Sequence, residues 1–203
     1  MKALLLSKKF KDGEPISEYI KTLAEKLVTQ GHQATIISFD DKSYYSMHEE
    51  VEVKRVPLKF EGDNIYNWSM ILNNELKREA TDILQQKGEE FDIIHANEWT
   101  TIPGGATLSQ HTEKPYILTL HSTENQRGFQ DPNSEIISEL EYQGVQESQH
   151  IITPCEDTKN SILFDLSAED NKVTATRPEP EDWAETVLNK YKETIKQKEK
   201  VKN

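Results

Sequence analysis

Polar side chains follow four short apolar runs of the sequence, and they are of the kinds that hold small hydroxylated molecules. They occupy the loop Lys8–Glu14 and the segments His95–Trp99, His121–Arg127 and Pro154–Asp157. Short apolar runs of this kind are typical of buried parallel strands. The carboxyl ends of such strands meet at one edge of the sheet, where ligands of open α/β sheets bind. We therefore expect the four segments to converge on one site.

His121 is the strongest candidate for a catalytic residue, because it ends the apolar run Tyr116–Leu120 and precedes a polar, turn-prone stretch. A carbohydrate would suit this edge, since aromatic faces pack on sugar C–H surfaces and polar side chains bond to hydroxyl groups. The candidate substrate-binding residues are His95, Asn97, Glu98, Trp99, Glu124 and Arg127.

Each of these residues also has a purely structural interpretation. Trp99 could belong to the core or cap a helix, and His95 could satisfy a backbone group. The pair Asn97–Glu98 could cap the helix that follows. Glu124 and Arg127 lie three residues apart and could form a local ion pair.

Several common motifs of catalytic and cofactor-binding sites are missing from the sequence. It has no G-x-x-x-x-G-K-[ST] motif, no G-x-G-x-x-G after the first strand, no G-x-S-x-G and no H-E-x-x-H. We therefore expect no Walker-type phosphate loop, no standard dinucleotide site, no hydrolase nucleophile and no metal site. The single cysteine, Cys155, excludes an internal disulfide, and we interpret it as a passive residue rather than a nucleophile.

The chain is acidic. Its 203 residues carry a formal net charge of −12, from 36 acidic and 24 basic residues. Binding to nucleic acid or to an anionic membrane needs a basic face, so neither is expected as a partner. The Lys-rich stretch 196–202 is interpreted as a solvated helix end. No signal-peptide or transmembrane pattern is present, from which we predict a reduced, cytoplasmic setting.

Strand and helix patterns alternate along the chain. The run Lys2–Ser7 predicts a buried strand, the amphipathic stretch Ile16–Val28 a helix with Pro15 in its first turn, and Ala34–Phe39 the next strand. Further strands are predicted at 51–56 (an edge strand), 91–95, 116–120, 150–153 and 172–176, with helices at 68–86, 102–110, 134–147 and 156–166. This alternation predicts a single α/β domain with a doubly wound, Rossmann-like, mostly parallel sheet.

The stretch 177–182 contains two prolines and breaks regular structure. A stripe of apolar residues follows at helical spacing and predicts a C-terminal helix packed back on the domain: Trp183, Val187, Leu188, Tyr191 and Ile195. We therefore divide the chain into a domain over 1–176, a connection over 177–182 and a helix with a basic tail over 183–203.

These segments resemble the N-terminal domain of retaining glycosyltransferases with two Rossmann-like domains, the GT-B architecture. The likeness is greatest to glycogen- and starch-synthase-like enzymes. It rests on residues 91–99, on 114–124 with Arg127-Gly128, on 150–159 and on the first helix at 17–27. The likeness extends over nearly all of residues 1–183.

In such enzymes the N-terminal domain holds the acceptor, and the C-terminal domain binds a nucleotide-diphospho sugar. The resemblance implies that His121 lies beside the donor sugar, contacts one of its hydroxyls and helps to stabilise an oxocarbenium-like transition state. It implies that Glu124 and Arg127 shape the acceptor side. It implies no cofactor besides the nucleotide-diphospho sugar, which is a co-substrate, and no protein nucleophile.

Two departures from the family pattern stand out. A Gly-Gly pair before the first helix, whose backbone N–H groups approach the donor phosphate, corresponds here to Glu14-Pro15. Proline has no N–H and a glutamate repels phosphate, so this phosphate loop is degenerate. The whole donor domain is also missing between Thr176 and Trp183.

We therefore expect the acceptor-side half of a glycosyltransferase, inactive alone, with a saccharide acceptor as its ligand. Its expected partner is a separate donor-domain subunit or further copies of the chain. Two alternatives stay open: a non-catalytic protein-interaction module, and a single domain cut from such an enzyme or designed on one.

Overall fold

The computed structural model describes residues 1–43, 45–88, 90–177 and 182–202. Its strands are β1 (Lys2–Ser7), β2 (Gln33–Phe39), β3 (Val51–Val56), β4 (Ile93–Asn97), β5 (Tyr116–Thr119), β6 (His150–Thr153) and β7 (Val173–Ala175). Its α-helices are α1 (Pro15–Thr29), α2 (Ile65–Lys87), α3 (Ile102–Thr112), α4 (Glu124–Arg127), α5 (Ser134–Glu147), α6 (Glu156–Asp165) and α7 (Trp183–Lys202). Single turns of 3-10 helix span Trp99–Thr101 and Asp170–Lys172.

Within the described residues the strands form one sheet in the order β3-β2-β1-β4-β5-β6-β7, and all neighbouring strands pair in parallel. This confirms the predicted doubly wound α/β domain, and β3 is the edge strand that its alternating sequence indicated. The direction of winding reverses between β1 and β4. That reversal opens a crevice at the carboxyl ends of these two strands, the usual ligand position in such folds.

Two apolar cores cover the two faces of the sheet, and β1 contributes to both. Leu4 and Leu6 pack with residues of α2 and α3, whereas Ala3 and Leu5 pack with residues of α1 and α7. All four are fully buried. Successive side chains of a strand point to opposite faces, so a continuous apolar run is what a strand buried on both faces requires.

The C-terminal helix α7 packs back on the domain, as predicted. Its stripe Trp183, Val187, Leu188 and Tyr191 is buried against α1 and the sheet, with Ile195 at the margin of the cluster. The predicted connection 177–182 includes residues 178–181, which lie outside the described residues, as does Asn203 at the end of the predicted basic tail. None of the helices in the described part of the chain is long and apolar enough to cross a membrane.

The main differences from the predicted elements lie at β4, at the start of α2 and at residues 124–127. The strand predicted at 91–95 lies at 93–97, because His95 and Asn97 pair with β5 inside the sheet. The helix predicted from residue 68 begins at Ile65, since Asn64 caps it by accepting a hydrogen bond from the backbone of Asn67. Residues 124–127, expected in a loop, form the helical turn α4.

Candidate functional site

A cavity of about 210 Å³ lies in the crevice between β1 and β4. Its walls come from the end of β1 with the following loop, the start of α1, and the end of β4 with the following turn. The residues that line it are Ser7, Lys8, Lys9, Glu14, Ile16, Ser17, Asn97, Glu98, Trp99 and Thr100. The cavity brings together two of the four predicted segments, Lys8–Glu14 and His95–Trp99. Its volume is small compared with that of sites for drug-sized ligands, which measure about 300–1,000 Å³.

Two polar atoms of residues that line this cavity have no hydrogen-bond partner. They are Asn97 Oδ1 and Thr100 Oγ1, and their residues are only 1% and 2% exposed. The amide nitrogen of Asn97 donates to the carbonyl of Leu6 at 3.1 Å and so fixes the side chain. An unsatisfied buried polar group costs about 1–3 kcal/mol. Such a pair is suited to a ligand that brings hydroxyl groups.

Glu98 has a backbone conformation that is rare for any residue with a side chain, with φ 68° and ψ 159°. That region is used almost only by glycine and costs about 1–3 kcal/mol. Two hydrogen bonds hold it: the backbone nitrogen donates to Thr119 O at 2.9 Å, and Oε1 accepts from the His121 backbone nitrogen at 2.7 Å. Burial raises the pKa of the Glu98 carboxyl to about 7. Strain combined with a shifted pKa is typical of functional positions.

Neither Asn97 nor Glu98 caps the following turn with its side chain, so the capping interpretation of this pair was wrong. Instead, Thr101 Oγ1 donates to the carbonyl oxygen of Asn97 at 2.8 Å. The core interpretation of Trp99 is confirmed, since this residue is only 8% exposed and belongs to an apolar cluster. It also forms part of the cavity wall.

His95 lies inside β4 and not after it, which corrects its predicted place at a strand end. The residue has no exposed surface, and both ring nitrogens have partners: Tyr191 Oη at 2.5 Å and Thr119 Oγ1 at 2.6 Å. Burial, together with the nearby His121, lowers the pKa of His95 to about 3. A neutral, fully bonded imidazole at this depth cannot reach a ligand, and its bonds go to side chains rather than to the backbone.

His121 follows β5 at the carboxyl edge, as the sequence predicted, and it is half-buried. The edge of its ring packs on Tyr19, with 4.9 Å between ring centroids. Its Nε2 atom is buried without a partner. Burial lowers the pKa of His121 to about 4, so the ring is neutral at pH 7 and can both donate and accept a hydrogen bond.

Glu124 and Arg127 form the local ion pair that their spacing indicated, with 2.9 Å between Arg127 Nε and Glu124 Oε2. Arg127 also bonds to the fully buried Glu141, at 2.6 Å between Nη2 and Oε1. Ser134 Oγ donates to the other oxygen of Glu124 at 2.6 Å. The Glu124 carboxylate is thus turned into the protein, and Arg127, 31% exposed, is the member of the pair that faces solvent.

Glu14 and Pro15 stand at the start of α1, where Glu14 makes no side-chain cap. The Glu14 carboxylate pairs with Lys11 at 3.6 Å. Lys8 and Lys9 also line the cavity, and burial together with the charge of Lys9 lowers the pKa of Lys8. The entrance therefore carries both signs of charge. Both lysines belong to the predicted segment Lys8–Glu14, although neither was predicted as an individual site residue.

The fourth predicted segment reaches the same edge through the start of α6. Thr158 Oγ1 donates to the carbonyl oxygen of His121 at 3.4 Å. Cys155 is a free thiol that precedes α6, with Sγ 3.4 Å from the hydroxyl of Thr158. No cluster of three or more His, Cys, Asp or Glu side chains that could hold a metal ion occurs among the described residues.

The chain is similar to known glycosyltransferases. Residues 16–175 match the model of the family described as Glycosyltransferase Family 4. An uncharacterized glycosyltransferase of Methanocaldococcus jannaschii, MJ1607, is 30% identical over 159 residues, which are 76% of this chain. The match spans only 40% of that relative's length.

The solved structures with the same fold include the following two. One is a sucrose-phosphate synthase chain of Thermosynechococcus elongatus, with a TM-score of 0.69 and 13% identity. The match covers 97% of this chain and 99% of that one. The other is HepE of Anabaena in complex with UDP and glucose, with a TM-score of 0.57, 14% identity, and coverage of 87% of this chain and 44% of HepE.

Proposed function

The chain belongs to glycosyltransferase family 4, and from this we propose that it is the acceptor-side half of a glycosyltransferase, which binds a saccharide at the β1/β4 crevice. The observation that carries the proposal is the pair of unpartnered polar atoms, Asn97 Oδ1 and Thr100 Oγ1, in residues that line the cavity. A sugar ring offers hydroxyl groups, which are the kind of partner that both atoms lack. The HepE structure with UDP and glucose supports a nucleotide sugar as the co-substrate.

His121 has the role of contacting the transferred sugar in this proposal. Its ring is neutral at pH 7, because burial lowers its pKa to about 4. A neutral imidazole with an unpartnered Nε2 can bond to a sugar hydroxyl without adding charge to the site. Glu98 binds the acceptor from the cavity wall, and Arg127 borders the acceptor side.

In this proposal a separate chain supplies the donor domain. The family match ends at residue 175, and α7 starts at Trp183 and packs on the same domain. A stretch of this length between them has no room for a second Rossmann-like domain. The sucrose-phosphate synthase chain, which is matched over 99% of its own length, supports such a compact unit. The isolated chain is therefore expected to transfer no sugar.

The proposal is tested by mixing the purified chain with nucleotide sugars and with oligosaccharide acceptors. We expect acceptors to raise the melting temperature of the chain, and we expect no transfer product. The absence of any saccharide-dependent change in melting temperature or NMR spectra would sink the binding proposal. Formation of a glycoside by the isolated chain would contradict the predicted inactivity, but it would not contradict the proposed saccharide binding.

A non-catalytic interaction module is a second candidate, because two large apolar side chains are exposed in loops at the carboxyl edge. Phe60 is 72% exposed and Phe129 is 48% exposed. Phe129 also has a positive φ of 53°, which is unfavourable for an aromatic residue. Sedimentation at several concentrations separates the candidates: a strict monomer that binds saccharide supports the first, and self-association without saccharide binding supports the second.

A further inference from the structure

Tyr19 of α1 connects the C-terminal helix to the candidate catalytic histidine. One face of its ring stacks on Trp183 of α7, with 4.4 Å between centroids and 23° between planes. The same ring meets His121 at 4.9 Å and 90°. Tyr19 is only 5% exposed and Trp183 only 4%, so both contacts are sheltered from solvent. Edge-to-face and stacked aromatic pairs have preferred geometries, so the position of one ring constrains the next.

A buried polar chain joins the same two elements by a second route. Tyr191 Oη of α7 bonds to His95 Nδ1 at 2.5 Å, and His95 Nε2 bonds to Thr119 Oγ1 at 2.6 Å. Thr119 Oγ1 then lies 3.4 Å from the hydroxyl of Tyr19. Tyr191, His95 and Thr119 have no exposed surface, and hydrogen bonds in such a chain strengthen one another in a low dielectric.

His121 depends on these neighbours for its orientation. Its Nε2 atom has no hydrogen-bond partner. Hydrogen bonds hold its backbone instead, through Glu98 and Thr158. The ring itself is therefore oriented by packing, and Tyr19 is its aromatic contact.

We propose that Tyr19 is a positioning residue for His121, and that α7 fixes Tyr19 through Trp183 and through the Tyr191–His95–Thr119 chain. The inference rests on the proposed function only in treating His121 as a site residue. On this account α7 supports the site although neither Trp183 nor Tyr191 lines the cavity. A change in the packing of α7 then alters how His121 is presented to a sugar.

The direct test is the Tyr191→Phe variant, followed by the ¹H–¹³C signals of the His121 ring in the ligand-free chain. We expect these signals to move by more than their linewidth, because the polar chain loses its first link. The control is Tyr116→Phe, which removes another fully buried hydroxyl, one without a hydrogen-bond partner. The control is expected to leave the His121 signals in place. Unchanged His121 signals in a folded Tyr191→Phe variant would overturn the proposal.

A second pair of variants tests whether the effect of Tyr191→Phe reaches His121 through Tyr19. Tyr19→Phe keeps the ring between Trp183 and His121 but cuts the polar chain at its last link. In that background, Tyr191→Phe should move the His121 signals much less than it does alone, since coupled residues are not additive. An equal displacement in both backgrounds would contradict the route through Tyr19.

The same route can be tested with a variant that leaves the polar chain intact. Trp183→Leu removes only the stacked ring, and it should also displace the His121 signals; a folded variant with unmoved signals would again contradict the proposal. None of these measurements uses a saccharide, so they can fail while saccharide binding holds, and saccharide binding can fail while they hold.

Discussion

The Glu98 carboxylate accepts a hydrogen bond from the backbone nitrogen of His121 at 2.7 Å, and this contact ties the end of β4 to the end of β5. It holds Glu98 in a strained backbone conformation and fixes the start of the segment that carries His121. The two residues are 23 positions apart in sequence. The polar edge of the sheet is therefore a connected structure rather than a set of independent loops.

Glu98→Gln is expected to stabilise the chain at pH 8 and to have less effect at pH 5. Burial raises the pKa of Glu98 in the folded state from 4.5 to about 7, so the folded chain holds this proton more tightly than the unfolded chain. The resulting stability is present below pH 4.5 and is lost as the pH rises to about 7. Glutamine stays neutral and can still accept from His121. The gain at pH 8 should exceed the gain at pH 5 by about 1–3 kcal/mol.

Urea unfolding of both proteins at the two pH values measures this difference. An effect of Glu98→Gln that does not change with pH would show that the carboxyl is ionised in the folded chain at pH 5, contrary to the burial of Glu98.

Thr100→Val should leave the free energy of unfolding unchanged or raise it by up to about 1 kcal/mol, because it removes an unsatisfied buried hydroxyl. The same change should weaken saccharide binding. Thr101→Val is the matched control, since the hydroxyl of Thr101 donates to Asn97 O and Glu98 O. Thr101→Val should lower the free energy of unfolding by about 1 kcal/mol. Equal destabilisation by the two variants would mean that the Thr100 hydroxyl has a partner in the folded chain.

Arg127→Met should destabilise the fold by about 3–5 kcal/mol, because it leaves the buried carboxylates of Glu124 and Glu141 without their cation. The control is Arg78→Met, which breaks the surface pair with Glu75 and should cost less than about 1 kcal/mol. Thermal or urea unfolding of the two variants at pH 7 compares these costs. If both variants lower the free energy of unfolding by a similarly small amount, Arg127 is a surface residue available mainly to a ligand.

The strand and helix pattern and the place of His121 could be predicted from local periodicity. The apolar runs at 2–7 and 116–119 and the stripe of α7 are strong local signals, and each element lies within a few residues of its predicted bounds. The turn α4 could also have been found, since Thr123 and Gln126 form a capping box that is visible in the sequence.

The extension of β4 to Asn97 could not be predicted from local periodicity. Asn97 is polar, which argued against extending the strand predicted at 91–95 as far as this residue. The partners of His95 and Asn97 are Tyr191, Thr119 and Leu6, which lie 24 to 96 positions away in the chain. The positive φ of Glu98 likewise follows from tertiary contacts, since glutamate has no intrinsic preference for it.

Saccharide titration of the ¹⁵N-labelled chain, followed by ¹H–¹⁵N correlation spectra, tests the central claim most directly. Binding at the β1/β4 crevice predicts saturable shifts at the amides of Asn97, Glu98, Thr100 and His121, and weaker binding in the Thr100→Val variant. The claim would be contradicted by spectra that do not respond to saccharide. Shifts confined to the opposite edge of the sheet, where Tyr116, Gln149 and Lys198 line a separate cavity, would contradict it as well.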